Sequence, residues 1–203
     1  MIQIIDYGLG NIGSVVNMFR KAGFESSIIN NPKELSEKSK LVLPGVGSFD
    51  YGMKRLVSLG FKERLNNLVA INKSPILGIC LGAQLMTKCS EEGIIPGLGW
   101  FDATTIKFNT TKLQKLKIPH MGWNDTFFIK ENKLIKSNED IKRYYYVHSY
   151  HFKTDNENEV LCKSNYGYEF VSGLNKQNIY SLQFHPEKSH KFGLEIFKNF
   201  GKL

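Results

Sequence analysis

Ser74-Pro75-Ile76-Leu77-Gly78-Ile79-Cys80-Leu81-Gly82-Ala83-Gln84 is the stretch on which the reading of the fold turns. A short apolar run of strand length leads into Gly-x-Cys-x-Gly, and a helical pattern follows. This is the cysteine form of a nucleophile elbow, a sharp turn from strand to helix. Gly78 and Gly82 remove side chains where strand and helix must pass closely. Cys80 then stands at the tip, beside the first N–H groups of the helix, which favour a negatively charged sulfur. The same N–H groups can hold an oxyanion formed when the sulfur attacks a carbonyl. Taken alone, the stretch fits a buried structural cysteine equally well.

Upstream of the elbow the chain alternates strands and helices. Strands are expected over Ile2 to Asp6, Glu25 to Asn30, Ser39 to Leu43 (stopping at Pro44) and Pro75 to Ile79. Helical periodicity runs from Ile12 to Ala22, with Asn11 as cap and Gly23 as stop, and from Met53 to Asn72. A further helix is expected from Leu81 to Glu91. Downstream, short strands follow one another: Gly99 to Phe108, Thr126 to Phe128, Arg143 to Tyr150, Val160 to Tyr166, Phe170 to Leu174 and Ile179 to Phe184. A helix from Gly193 to Phe200 closes the chain. The pattern predicts an α/β fold: a mostly parallel open sheet flanked by helices, with appended antiparallel strands, in one domain over residues 1–203.

Composition agrees with a globular chain of 203 residues, 41% hydrophobic and 23% charged. The cysteines are Cys80, Cys89 and Cys162, with no C-x-x-C pair, which argues against a disulfide framework or zinc ribbon and for a reducing cytoplasm. No basic leader and no membrane-length apolar run is present, so no membrane role is expected. The net charge of +8 comes from scattered lysines, among them Lys107, Lys112, Lys115, Lys117, Lys130, Lys133 and Lys136. They alternate with Asn and Thr, as in a solvated surface, and no nucleic-acid partner is expected.

Two further motifs turn the elbow into a candidate site. Gln183-Phe184-His185-Pro186-Glu187 follows an apolar strand. A cysteine nucleophile needs a base that later protonates the leaving group, and the imidazole needs an acceptor to orient it. Pro186 excludes a central strand, so a rigid turn presenting His185 and Glu187 is expected. Leu43-Pro44-Gly45-Val46-Gly47-Ser48-Phe49 lies at a strand's C-terminal end, where open parallel sheets place their sites. Its glycines allow close approach of substrate to backbone.

P-G-V-G, G-I-C-L-G-x-Q and Q-F-H-P-E together resemble the class I (triad) glutamine amidotransferases. Within that family, Asp6-Tyr7-Gly8-x-Gly10-Asn11, Pro119-His120-Met121-Gly122-Trp123-Asn124, Tyr146-Val147-His148-Ser149-Tyr150 and Lys188-Ser189 resemble the glutaminase subunit of imidazole glycerol phosphate synthase. The resemblance spans essentially the whole chain. It implies Cys80 as nucleophile, His185 as acid and base, and Glu187 as its orienter. It implies an oxyanion hole from the N–H groups of Val46 (or Gly47) and Leu81. It places Gln84, Glu92, His148, Ser149 and Tyr150 around the substrate, L-glutamine. Ammonia would pass to a partner, a (β/α)₈-barrel cyclase or synthase subunit, in a heterodimer. Asn11, Met121, Trp123, Asn124 and Lys188 would face that partner. No cofactor and no metal is implied.

Other readings carry less. Gly8-x-Gly10-x-x-Gly13 formally matches a dinucleotide fingerprint, but Asn30, Asn31 and Pro32 stand where the ribose-binding acid belongs. His148-x-x-His151 and His185-x-Glu187-x-x-His190 offer zinc ligands without the helical spacing of a zinc site. Cys89, in the helix after the elbow, and Cys162, on a strand, are expected in the core. The same glutaminase chemistry could serve a paralogous synthase that aminates or amidinates a nucleotide sugar for surface polysaccharide. A cysteine peptidase of the same fold is a further alternative, though its elbow would lack Gln84.

Overall fold

The computed structural model describes residues 1–113, 116–135 and 141–203; Lys115 and Lys136 lie outside the described residues. Strands β1 (Ile2–Ile5), β2 (Ser26–Ile29), β3 (Lys40–Gly45) and β4 (Ile76–Cys80) are parallel and lie in the order β2-β1-β3-β4. The antiparallel part comprises β5 (Thr104–Lys107), β6 (His120–Phe128), β7 (Lys142–His148), β8 (Tyr150–Lys153), β9 (Val160–Tyr166) and β10 (Tyr168–Lys176). Strand β11 (Ile179–Leu182) joins the two parts, parallel to β4 and antiparallel to β10. The sheet then continues β10-β9-β6-β7, with β8 pairing both β10 and β5 off that path.

Helices α1 (Ile12–Lys21) and α5 (His190–Lys202) cover one face, where Val15, Phe19, Ile196 and Phe197 pack on Ile4, Val42 and Leu77. Helices α2 (Phe49–Ser58) and α3 (Phe61–Asn66) cover the other, where Phe49, Leu56, Phe61 and Leu65 pack on Leu41 and Leu43. Strands buried on both faces read as unbroken apolar runs, which is why β3 and β4 are so legible. Asn11 caps α1 as expected, its side chain accepting from the Ser14 N–H at 3.2 Å. Gly8 and Gly10 serve packing: a Cβ on Gly10 would lie 3.2 Å from the Gly45 nitrogen, and one on Gly8 3.1 Å from the Arg55 guanidinium.

Several expected boundaries move. Strand β3 runs through Pro44 to Gly45. Its pairing with β1 ends at Val42, and the Leu41 N–H points to Pro75 on the β4 side. By strand alternation Pro44 faces the unpaired side, where its missing N–H costs nothing. The long helix expected over Met53 to Asn72 is two helices, because Gly60 turns left-handed at φ +76° between α2 and α3; the second runs on into a π turn, Asn67–Ile71. The helix expected over Leu81 to Glu91 is one turn, α4 (Leu81–Gln84). Its continuation is blocked because the Gln84 carbonyl is taken by Thr87, Leu85's by the Leu98 N–H and Met86's by the Trp100 N–H. Cys89 is therefore outside any helix and exposed, not in the core, whereas Cys162 is buried. The same contacts leave only Thr104–Lys107 of the Gly99 to Phe108 stretch as strand.

The strand expected over Thr126 to Phe128 begins earlier: β6 starts at His120, right after Pro119, and is hydrogen-bonded to β7 with Trp123 opposite Tyr145. Arg143 to Tyr150 is split at Ser149, whose carbonyl accepts from the Phe108 N–H while the chain changes partners from β6 to β5 and β10. Among the described residues, no helix is long and apolar enough to cross a membrane.

Candidate active site

Three strand ends lie side by side and deliver the site. In the parallel register Gly45 pairs with Cys80, and Ile79 with Leu182, so the Pro44–Gly47 turn, the elbow and the Gln183–Glu187 segment leave the sheet together.

The elbow is held by contact. Cys80 has φ +53°, a backbone state that a side-chain-bearing residue adopts only when its surroundings impose it. A Cβ on Gly82 would sit 1.9 Å from the Leu43 carbonyl oxygen, and one on Gly78 2.8 Å from Ala83 Cα. These two glycines let α4 close onto β3 and β4. Leu81 is the first residue of α4, so its N–H is one of the donors that no helical carbonyl reaches. With α4 only one turn long, the field at the sulfur comes from these local N–H groups and not from an extended helix dipole.

The His-Pro-Glu segment is the rigid turn expected of it, a 3₁₀ turn over Pro186–Lys188. The His185 N–H donates to the Tyr145 carbonyl at 2.8 Å. Ser189 Oγ donates to the His185 carbonyl at 2.6 Å and accepts from the Tyr145 N–H at 3.0 Å. Gly193 lets α5 press against this turn, since a Cβ there would lie 1.8 Å from the Pro186 carbonyl oxygen. His185 Nδ1 is 2.7 Å from Glu187 Oε1, and both side chains are almost fully buried. That bond places the Nδ1 proton toward Glu187 and leaves Nε2 to face the site. Nε2 has no hydrogen-bond partner in acceptable geometry among the described residues, yet Cys80 is close enough to act on its charge. Burial opposes protonation of His185, but the combined attraction of Cys80 and Glu187 outweighs it and pushes the imidazole up to about 10.

Between these parts lies a pocket of about 390 Å³ lined by Val46, Gly47, Cys80, Leu81, Gln84, Glu92, Pro119, Val147, His148, Ser149, Tyr150 and His185. Every residue expected in the triad, the oxyanion hole or the substrate contacts lines it except Glu187, which stands behind His185. Gly47 has φ +114°. Glu92 Oε2 accepts the Phe49 N–H at 2.8 Å, capping α2 in place of Ser48, and so holds its carboxylate at the pocket. Burial first, and then the negative charges of Glu92 and Glu91, raise the Tyr150 hydroxyl above its usual range, and Glu92 and Tyr150 line the same pocket. An acid in this position suits a substrate ammonium.

Two features were not legible beforehand. Gln183, quoted only as part of its motif, is fully buried; its Oε1 accepts from Gln84 Nε2 at 3.0 Å and its Nε2 points at Cys80 Sγ at 3.8 Å. His148 works inside the wall: its Nδ1 is 2.6 Å from the Tyr150 carbonyl, so Nδ1 donates and Nε2 accepts from His120 Nδ1 at 2.9 Å. His120 Nε2 then accepts from the Asn124 amide at 3.1 Å. Burial pushes His120 down to about 4 and His148 well below its ordinary value, so both rings stay neutral at pH 7. His151 spends its two nitrogens on the Phe152 carbonyl and the Tyr168 hydroxyl, which leaves it no free lone pair for a metal.

The residues expected to face a partner diverge. Met121 and Trp123 are 60% and 45% exposed. Trp123 stacks on His190 at 5.2 Å, and Lys188 Nζ lies 5.5 Å from the centre of the neighbouring Tyr145 ring. Asn11 is exposed at its cap. Asn124 instead turns its amide onto His120 and the Asn165 carbonyl.

A buried imidazole backed by a carboxylate, a thiol on a strained turn and the first N–H group of α4 beside it can carry acyl transfer through a thioester. Comparison with known proteins is in keeping with this. "Imidazole glycerol phosphate synthase subunit HisH 2" of Methanococcus maripaludis is 50% identical over 202 residues, covering 100% of this chain and 99% of that protein. "Imidazole glycerol phosphate synthase subunit HisH 1" of Campylobacter jejuni subsp. jejuni is 45% identical over 204 residues, covering 100% of both. The structure of PurLQS from Thermotoga maritima shares the fold, with a TM-score of 0.76 at 17% identity over 98% of this chain and 96% of that one. Residues 3–202 match the family described as glutamine amidotransferase class-I, and the chain belongs to that family.

Proposed function

We propose that this chain is the glutaminase subunit of an imidazole glycerol phosphate synthase, hydrolysing L-glutamine to glutamate and ammonia in histidine biosynthesis. The observation that carries the chemistry is the delivery of Cys80 and the His185–Glu187 pair to one pocket from the adjacent ends of β4 and β11. The sulfur of Cys80 attacks the glutamine side-chain carbonyl carbon while the N–H groups of Leu81 and of Val46 or Gly47 take the oxyanion. The C–N bond breaks as His185 protonates the leaving nitrogen, and ammonia departs. His185 then removes a proton from water, which attacks the thioester and releases glutamate and the thiol. Glu187 holds the ring and offsets the imidazolium charge. Glu92 and the Tyr150 region receive the α-amino end of glutamine.

Ammonia passes to a partner subunit, a (β/α)₈-barrel cyclase. The exposed Met121, Trp123 and Lys188 beside the His-Pro-Glu turn support that docking face. Trp123 has the chemistry of an interface anchor, and Lys188 follows the triad glutamate directly. The test is ammonia release from glutamine by the purified chain, alone and with the cyclase, together with labelling by a glutamine-like electrophile. The expected label is on Cys80 alone; equal labelling of the exposed Cys89 would remove the case for a special thiol. Failure of the cyclase to bind or stimulate the chain, with capture of a sugar-modifying synthase instead, would reassign the acceptor and keep the glutaminase.

A further inference from the structure

Tyr7 follows β1, is completely buried, and its hydroxyl has no hydrogen-bond partner among the described residues. A buried hydroxyl without a partner calls for an explanation. Its location narrows the choice. A Cβ built on Gly45 would lie 2.3 Å from the Tyr7 hydroxyl oxygen, 2.9 Å from the Gly82 nitrogen and 3.0 Å from Leu81 Cβ. The phenol tip therefore rests against the α-carbon of Gly45, wedged between the turn that leaves β3 and the first turn of α4. The rest of the residue is clamped: the Tyr7 carbonyl accepts from Arg55 Nε at 3.0 Å, and the next N–H, that of Gly8, donates to Asp6 Oδ1 at 3.0 Å. The hydroxyl is the side chain's one polar atom, and it is left without a partner among the described residues.

We infer that Tyr7 is a positioning residue for the oxyanion hole, its hydroxyl reserved as donor to the Gly45 carbonyl in the working orientation of the Gly45–Val46 peptide. The reasoning is geometric. In a trans peptide the C=O of one residue and the N–H of the next point in opposite directions. A Gly45 carbonyl turned down onto the Tyr7 hydroxyl turns the Val46 N–H the other way, toward the pocket that Val46 and Gly47 line with Cys80. Gly45 and Gly47, the latter at φ +114°, give this peptide the freedom to take that orientation. Burial first, and then the nearby charge of Cys80, raise the Tyr7 hydroxyl above its ordinary range, so it keeps its proton and remains a donor at any working pH. A free hydroxyl in the present orientation and a satisfied one in the working orientation give the turn a bias that glycine freedom alone lacks.

The inference rests on the glutaminase reading, and the test separates the two. The wild-type chain and Tyr7→Phe are compared as the complex with the cyclase. Ammonia release from glutamine, thermal unfolding and the rate of Cys80 alkylation by iodoacetamide are measured for each. Removing an oxyanion donor outright costs about 10²–10³ in rate, so loss of its positioning group is expected to lower kcat about tenfold, with KM unchanged. Alkylation at saturated carbon forms no oxyanion and is expected to proceed at the wild-type rate. The unfolding temperature is expected to stay level or rise, since the lost hydroxyl has no partner in the structure. A Tyr7→Phe kcat within twofold of wild type overturns the inference while leaving the glutaminase intact, as does a lower kcat accompanied by an equal fall in alkylation rate or stability. A wild-type complex that releases no ammonia sinks the glutaminase reading and this inference with it.

Discussion

Cys80 and His185, the proposed nucleophile and base, reach the same pocket on two different kinds of backbone. Cys80 sits in a strained turn at φ +53°, held by steric contact at two glycines: Gly78 against the nearby Ala83 and Met86, and Gly82 against the Leu43 backbone of β3. His185 sits in an ordinary short turn tied down by hydrogen bonds: its N–H reaches the distant Tyr145 carbonyl of β7, and the nearby Ser189 hydroxyl links its carbonyl to the Tyr145 N–H. The elbow is enforced by steric contact and tolerates no added atom. The His turn is held by hydrogen bonds and gives way by degrees. Local steric rules leave a mark in the sequence, and long-range hydrogen bonds leave almost none.

The contrast can be broken most sharply at the nucleophile. Cys80→Ala is expected to reduce glutamine hydrolysis by a factor on the order of 10⁶, as loss of a nucleophile does in a triad, while synthesis from added ammonia by the complex persists. Loss of both activities would mean that the elbow also organises the acceptor side. Gly82→Ala tests the steric support. Its Cβ would meet the Leu43 backbone, which cannot move aside cheaply, so a loss of about 3 kcal/mol in urea unfolding is expected, with activity falling in parallel. Unchanged stability would show that the strand–helix contact relaxes freely.

The base answers to pH. His185 is raised to about 10 in the folded chain against an ordinary 6.5, so the folded form holds more protons between those values. Its contribution to stability is complete below about pH 6.5 and is lost as pH rises toward 10, with a slope of at most about 1.4 kcal/mol per pH unit. Cys80→Ala removes the charge that raises the ring, and burial then acts against protonation. The stability difference between wild type and Cys80→Ala should therefore shrink as pH climbs through this window, followed by denaturant titration at several pH values. A difference that does not vary with pH would deny the Cys80–His185 coupling. The smallest effect is expected for Ser189→Ala, which removes two hydrogen bonds that tie the His turn to β7 but leaves the triad groups in place. About 1 kcal/mol of stability and a few-fold loss of kcat are expected. A loss as large as that from Gly82→Ala would erase the distinction between the two supports.

The alternation of elements over residues 1–90 was legible because the central parallel strands are largely apolar and α1 carries its own signals, the cap at Asn11 and the stop at Gly23. Even there, α4 ended early and β3 ran long. The carbonyls after Gln84 are claimed by Thr87 and by the 98–100 segment, and Pro44 falls on an unpaired side of its strand. Neither fact shows in periodicity. The antiparallel part was read more coarsely. Pro119 and Gly122 hide the strand around Trp123 from any local pattern, and only pairing with Tyr145 makes that segment a strand.

The sequence by itself determined the elbow and the turn at Pro186, and it named Cys80, His185 and Glu187 as the candidate triad. Each depends on what a glycine, a cysteine or a proline permits within a few bonds. The tertiary structure alone decided that β11 lies beside β4, so that His185 meets Cys80, and that Gln183, His120 and Tyr7 stand behind the pocket. Those placements join residues tens to more than a hundred positions apart, and they follow from strand register and packing on two faces, which no local pattern of side chains specifies.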